Sequence, residues 1–226
     1  SILPLCLILF YALALTIPNI YLRAACILTL NFLLIFTGFG IFMGLITLGL
    51  LIIELVYSIV KKNALMIRYT ATCFVIALSS FAIFSIGYKF HQATDPINLS
   101  MQSLYKIPAF MALMNANLFG LKYLDHPAIS LVVGFLLLFV TLASLIIHLR
   151  SYLRNPFQEK PIDKVIVALI GYSLLFSFVT ALGRDSYGVN GGQVSRYMAL
   201  LIPGYMGVYF ALLTARINYR NVLLIA

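Results

Sequence analysis

Tryptophan is missing from this 226-residue chain, cysteine occurs three times and only 9% of the residues are charged. Each scarcity excludes something. A water-soluble domain needs more surface charge than this, and a mean hydropathy of +1.05 lies outside the soluble range. Cys6, Cys26 and Cys73 all fall inside apolar stretches, so they read as small buried hydrophobes, with neither disulfide density nor metal-ligand spacing. Without tryptophan, anchoring at a membrane interface falls to the 14 tyrosines. No glycine-rich phosphate loop follows a strand, no His/Glu zinc pair lies on a helix and no nucleophile elbow is present. No metal or cofactor is therefore expected. The 15 lysines and arginines are scattered between apolar runs, a pattern of topology signals and anionic-lipid contacts rather than a nucleic-acid surface.

What remains is 63% apolar sequence, arranged in runs near the roughly 20 residues that cross a bilayer. Stretches such as Ile129 to Ile147 are apolar on every face, which excludes the alternating segments of a membrane barrel. The expected fold is an all-α polytopic membrane protein with about seven transmembrane helices. These fall at Ile2 to Ile17, Tyr21 to Phe36, Ile41 to Val60, Arg68 to Tyr88, Pro127 to Leu149, Lys164 to Leu182 and Tyr197 to Ala215. The first two are short and separated by Pro18-Asn19-Ile20, so they form a tight hairpin or one broken helix.

The stretch Lys106 to Leu121 is apolar but short, opens with Lys106 and Pro108, and carries Asn115 and Asn117. Charge bias decides its role. Lys61, Lys62 and Arg68 mark one cytoplasmic loop, Arg150, Arg154, Lys160 and Lys164 a second, and Arg216 with Arg220 a cytoplasmic C-terminus. A full crossing by 106–121 would put the second basic loop outside, whereas a re-entrant or interfacial helix keeps all three clusters on one face. The outer side then holds Thr37 to Gly40, Lys89 to His126 and the loop Arg184 to Arg196. No repeat or low-complexity tract divides the chain, so residues 1–226 read as a single transmembrane helical domain. Opening on Ser1 and already apolar at Ile2, without a basic leader, it reads as a portion of a longer protein.

The loop from Arg184 to Arg196 contains Gly188, Gly191 and Gly192 and carries an arginine at each end. Glycines let a backbone approach a ligand closely, and a guanidinium matches phosphate oxygens in a two-pronged geometry. A polyprenyl phosphate or pyrophosphate head group suits this loop. So does a plainer arrangement, in which Arg184 pairs with Asp185 and Arg196 anchors the last helix. Lys89 and His91 form a polar mouth after the fourth span, and Asn115 and Asn117 sit where an apolar element must satisfy their amides, as cavity-lining groups do. The candidate substrate-binding residues are therefore Arg184, Arg196, Tyr197, Asp185, Ser195, Lys89, His91 and Asn117; no catalytic residue is assigned. Glu54, the lone acidic residue inside an expected span, lies about two turns before Lys61 and reads as a structural group near the cytoplasmic boundary.

The run Phe36-Thr37-Gly38-Phe39-Gly40-Ile41-Phe42, followed after a long middle section by Gly183-Arg184 and Ser195-Arg196-Tyr197, resembles the C-terminal half of multi-pass bacterial membrane glycosyltransferases of the GT-C type. The likeness extends over Phe36 to Leu213, and the arginine loop is its specific part. It implies a bacterial inner-membrane location, a polyprenyl-phosphate sugar donor, transfer at the extracytoplasmic face, and lipid-phosphate binding by Arg184, Arg196 and Tyr197. Two departures stand beside it. The first proline after Arg196 is Pro203, seven residues on, where such enzymes place one sooner. No acidic pair stands in an early outer loop, where the family keeps its catalytic carboxylate. The alternative is a non-catalytic membrane subunit that packs against membrane-protein partners and binds membrane lipids. A transporter would show an inverted repeat and midplane charges, and neither is visible.

Overall fold

The computed structural model describes residues 2–87, 101–157, 161–183, 192–194 and 197–223, and among them every regular element is helical. The elements are α1 (Ile2–Ala14), α2 (Ile20–Ile35), α3 (Ile41–Val60), α4 (Ala64–Gly87), α5 (Met101–Asn117), α6 (Pro127–Arg154), α7 (Ile162–Leu182) and α8 (Met198–Leu223). Five of them, α3, α4, α6, α7 and α8, are long and apolar enough to cross a membrane, while α1 and α2 are apolar but shorter.

The ends of the helices have local causes. Asn19 accepts the amides of Tyr21 and Leu22 at 3.0 and 3.1 Å, so it caps a new helix and makes the first two helices a hairpin rather than one interrupted rod. At the end of α3, Lys62 takes a left-handed backbone (φ 55°). The amides of Lys62 and Asn63 fold back onto the carbonyls of Ile59 and Ser58, the pattern that closes a helix. Asn63 then caps α4 through the Met66 amide at 3.2 Å, which starts that helix four residues ahead of Arg68, where the expected span began. Likewise α5 starts at Met101 and stops at Asn117. Gly120 takes φ +73° and the amides of Gly120 and Leu121 return to Asn117 and Ala116, so the final residues of the expected 106–121 helix are its closing turn.

The central post is α7, buried without interruption from Val165 to Ser173, while α6 turns Ile129, Val132, Leu136 and Phe139 outward. Small residues let the helices close on one another, as they do where lipid removes the usual hydrophobic drive. A Cβ on Gly134 of α6 would stand 2.1 Å from the Ala112 carbonyl oxygen of α5, and one on Gly204 of α8 would stand 2.6 Å from Ser173 of α7. Pro203 interrupts the hydrogen bonding of α8, and the Ser173 hydroxyl repairs it. Its oxygen accepts the Gly204 amide at 2.8 Å, and its own hydrogen faces the carbonyls of Leu200 and Leu201 at 3.4 and 3.3 Å.

One expectation from composition needs correction. Cys73 is buried, but Cys6 is exposed and Cys26 is half-buried. Cys6 shares the outer face of α1 with Leu3, Phe10 and Leu13, all exposed. In a membrane helix an apolar residue gains nothing by turning inward, so apolar surroundings in sequence do not select the core.

Contacts between helices order the two ends of the bundle. Glu54, late in α3, meets Tyr152 at the end of α6 and Lys164 at the start of α7. Tyr69 of α4 donates to the Ile20 carbonyl of α2 at 3.1 Å. The α3–α4 connection, with Lys61 and Lys62, and the last turns of α6, with Arg150 and Arg154, therefore share one end, called here the basic end. Gly183, Tyr197 and the start of α6 lie at the other.

Candidate functional site

Of the residues singled out in the sequence, Arg184, Asp185, Ser195, Arg196, Lys89 and His91 lie outside the described residues. The structure does place what flanks them. Gly183, exposed, closes α7 and Tyr197, buried, immediately precedes α8, so the connection bearing both arginines runs between these two residues. Tyr197 is buried against Phe176, with ring centroids 5.9 Å apart, in a cluster with Ile107, Phe110 and Leu200.

The same connection is fastened to α5. A Cβ on Gly192 would come within 2.9 Å of the Phe110 carbonyl oxygen, so that close approach needs glycine. Gln193 donates to the Leu121 carbonyl and accepts the Tyr123 amide, both at 2.7 Å. Segment 110–123 thus touches one connection at both of its ends.

Beneath it lies a polar seam. Asn115 donates to the Met111 carbonyl at 2.7 Å and accepts the Tyr205 hydroxyl at 2.6 Å. Together with Thr141, Ser173 and Ser177 they surround a cavity of about 10 Å³, room for about one water molecule. Asn117 is buried just above, at the last turn of α5. Of the two amides expected to line a cavity, Asn115 does so and Asn117 is buried without bordering this one, and the partner Tyr205 was not anticipated. Tyr205→Phe is expected to lower stability by about 1–3 kcal/mol, because it strips the buried Asn115 oxygen of its donor. Detergent-titrated unfolding monitored by circular dichroism measures this, and a neutral result would mean that water takes over the bond.

The basic end holds a cluster that sequence reading missed. Glu54 is the structural group expected near the end of α3, but it is 4% exposed, and its Oε1 accepts from both Lys164 Nζ and the Tyr152 hydroxyl, the latter at 3.1 Å. Lys164, which counts in the sequence as a topology marker, is committed to this pair. One residue earlier, Asp163 receives Ser151 at 2.5 Å on one oxygen and meets His148 Nδ1 at 2.6 Å on the other. Its carboxylate also sits in the first turn of α7, where the helix dipole favours it. A cavity of about 30 Å³ adjoins the pair, lined in part by Tyr11, Arg23, Thr47, Tyr69 and Lys164. Tyr11 and Thr47 close its floor with a 2.8 Å hydrogen bond.

Chemically this is a clamp: two carboxylates satisfied from α6 and α7 tie the basic ends of α3, α6 and α7 together. The signal available beforehand was the spacing of His148, Ser151 and Tyr152, which share a helix face at i, i+3 and i+4. Nothing local linked them to Glu54. Comparison of the chain with protein-family models, with curated proteins and with solved structures yields no match.

Proposed function

We propose that this chain is the membrane portion of a GT-C-like glycosyltransferase and holds a polyprenyl-phosphate sugar donor at the extracytoplasmic face. In this reading α1 and α2 complete a set of seven spans, α5 is re-entrant, and the basic end, with the C-terminus, faces the cytoplasm of a bacterial inner membrane. Arg184 and Arg196 neutralise the phosphate leaving group, Asp185 and Ser195 orient them, and Lys89, His91 and Asn117 border the sugar. The observation that carries the reading is the anchoring of the 184–196 connection. Its described parts are pinned to α5 by Gly192, to Leu121 and Tyr123 just beyond that helix by Gln193, and to the core by Tyr197, over a polar seam. Anchoring of that kind lets charge act in a partly dehydrated cleft without reorganisation. Tyr197, being buried, serves as a positioning residue here.

Arg184→Gln and Arg196→Gln are each expected to weaken binding of a polyprenyl-phosphate sugar by about 10- to 100-fold, the range of one charged hydrogen bond, with helical content unchanged. Equilibrium binding of a labelled donor to purified protein measures this. Retention of wild-type affinity by both variants removes the proposal.

One observation favours the non-catalytic alternative. Among the described residues Glu54 and Asp163 are engaged at the basic end and Asp125 is exposed in the α5–α6 connection, so none of these carboxylates borders the polar seam. A subunit that packs against partners would copurify with them in fixed ratio and bind lipid without transferring sugar.

A further inference from the structure

On the flank of the bundle, far from the arginine connection, α2 and α4 leave a groove of about 690 Å³. Ala24 and Leu28 of α2 face Arg68, Tyr69, Cys73 and Ile76 of α4 across it. Spacings of three and four residues put each set on one helix face. Small side chains hollow the groove, so its shape follows from the sequence.

The groove has a polar end and an apolar end. From Ala64 to Ile76 it follows α4 for about 18 Å at 1.5 Å per residue, close to the roughly 15 Å of hydrocarbon in one leaflet. Its mouth carries Arg68, just beyond Lys61 and Lys62 in the chain, while its depth is lined by Leu28, Cys73 and Ile76. It also shares Ala24, Leu28, Tyr69 and Cys73 with the wall of the buried cavity that holds Arg23. The described carboxylates at this end are already spoken for, Glu54 by Lys164 and Asp163 by His148. Neither Arg23 nor Arg68 forms an ion pair with any described carboxylate. A cationic mouth with no ion-paired carboxylate among the described residues, on an apolar trough of leaflet depth, is complementary to one molecule class.

We propose that this groove binds an anionic phospholipid of the leaflet at the basic end, its phosphate on Arg68 with Arg23 nearby and an acyl chain along Leu28, Cys73 and Ile76. The site is separate from the sugar-donor site and does not depend on it.

The missing tryptophan supplies the experiment. Ile76→Trp places a single reporter in the groove, and Phe139→Trp places one on the outward face of α6; both original side chains are exposed, so both variants are expected to fold. The full chain is reconstituted in phosphatidylcholine vesicles, and quenching by brominated phosphatidylglycerol is compared with quenching by brominated phosphatidylcholine. At Ile76→Trp the anionic lipid is expected to be preferred about five-fold, the contribution of one basic side chain near anionic lipid. The preference should vanish when Arg68→Gln is added, and it should be missing at Phe139→Trp. Equal quenching by the two lipids at Ile76→Trp, an equal preference at Phe139→Trp, or a preference that survives Arg68→Gln overturns the proposal. Relief of the quenching by inorganic phosphate at matched ionic strength also overturns it, since the groove would then hold a free anion and not a lipid.

Discussion

Lys164→Met is expected to destabilise the folded protein by about 3–5 kcal/mol, because it leaves the Glu54 carboxylate buried with no counter-charge. The Glu54 side chain is 5% exposed and that of Lys164 13%, so bulk solvent has little access to the carboxylate that loses its partner. After the substitution only the Tyr152 hydroxyl remains to donate to Glu54 Oε1. The double variant Glu54→Met with Lys164→Met should recover most of the loss, since a buried pair replaced by apolar side chains of similar size is often neutral. Unfolding in mixed micelles, followed by circular dichroism, gives the losses for Lys164→Met, for Glu54→Met alone and for the double variant. If Lys164→Met proves neutral, or if the double variant costs the sum of the single ones, the pair does not clamp α3 to α7.

Gly134→Leu is the second large effect, expected at about 3 kcal/mol or more because overpacking here meets backbone. The first added carbon would lie 2.1 Å from the Ala112 carbonyl oxygen and 2.6 Å from its carbon. No rotamer change relieves that contact, so α5 and α6 must separate. Because Asn115 lies on α5 and meets Tyr205, while Leu121 and Tyr123 hold Gln193, the separation should also loosen the arginine connection and abolish donor binding. Gly49→Ala provides the contrast: nothing lies within 4 Å of its added carbon, and alanine is the better helix former by about 1 kcal/mol. It should be neutral or stabilising in the same unfolding assay. Comparable losses at both glycines would mean that helix propensity, and not close packing, sets the effect.

The helices themselves were legible because each apolar run ends in a polar break. Ile41 to Val60 agrees with α3 at both ends, where Gly40 precedes it and Lys61-Lys62-Asn63 closes it. Which face turns inward was not legible. Both α6 and α7 are apolar all round, yet α7 is buried and α6 faces outward, because a bilayer offers every apolar face an equally good solvent. Helix-end geometry was also hidden. Leu121 looked like helix by composition, but Gly120 turns the chain before it. Of the candidate sites, Asn115 was readable because a lone amide in apolar sequence needs a partner. The bond between Glu54 and Lys164 spans 110 residues, and only the packing of α3 on α7 brings them together.

The proposed donor binding and the proposed lipid binding both rest on the two ends of the bundle facing opposite sides of the membrane. In a variant with Cys6, Cys26 and Cys73 replaced by alanine, single cysteines at Asn63, between α3 and α4, and at Gly188, within the arginine connection, can be treated with a membrane-impermeant maleimide. In right-side-out vesicles the cysteine at 188 should react and the one at 63 should be protected, with the reverse in inverted vesicles. Reaction of both from one side, or the opposite assignment, would contradict an extracytoplasmic arginine connection and with it the proposed sugar-donor site.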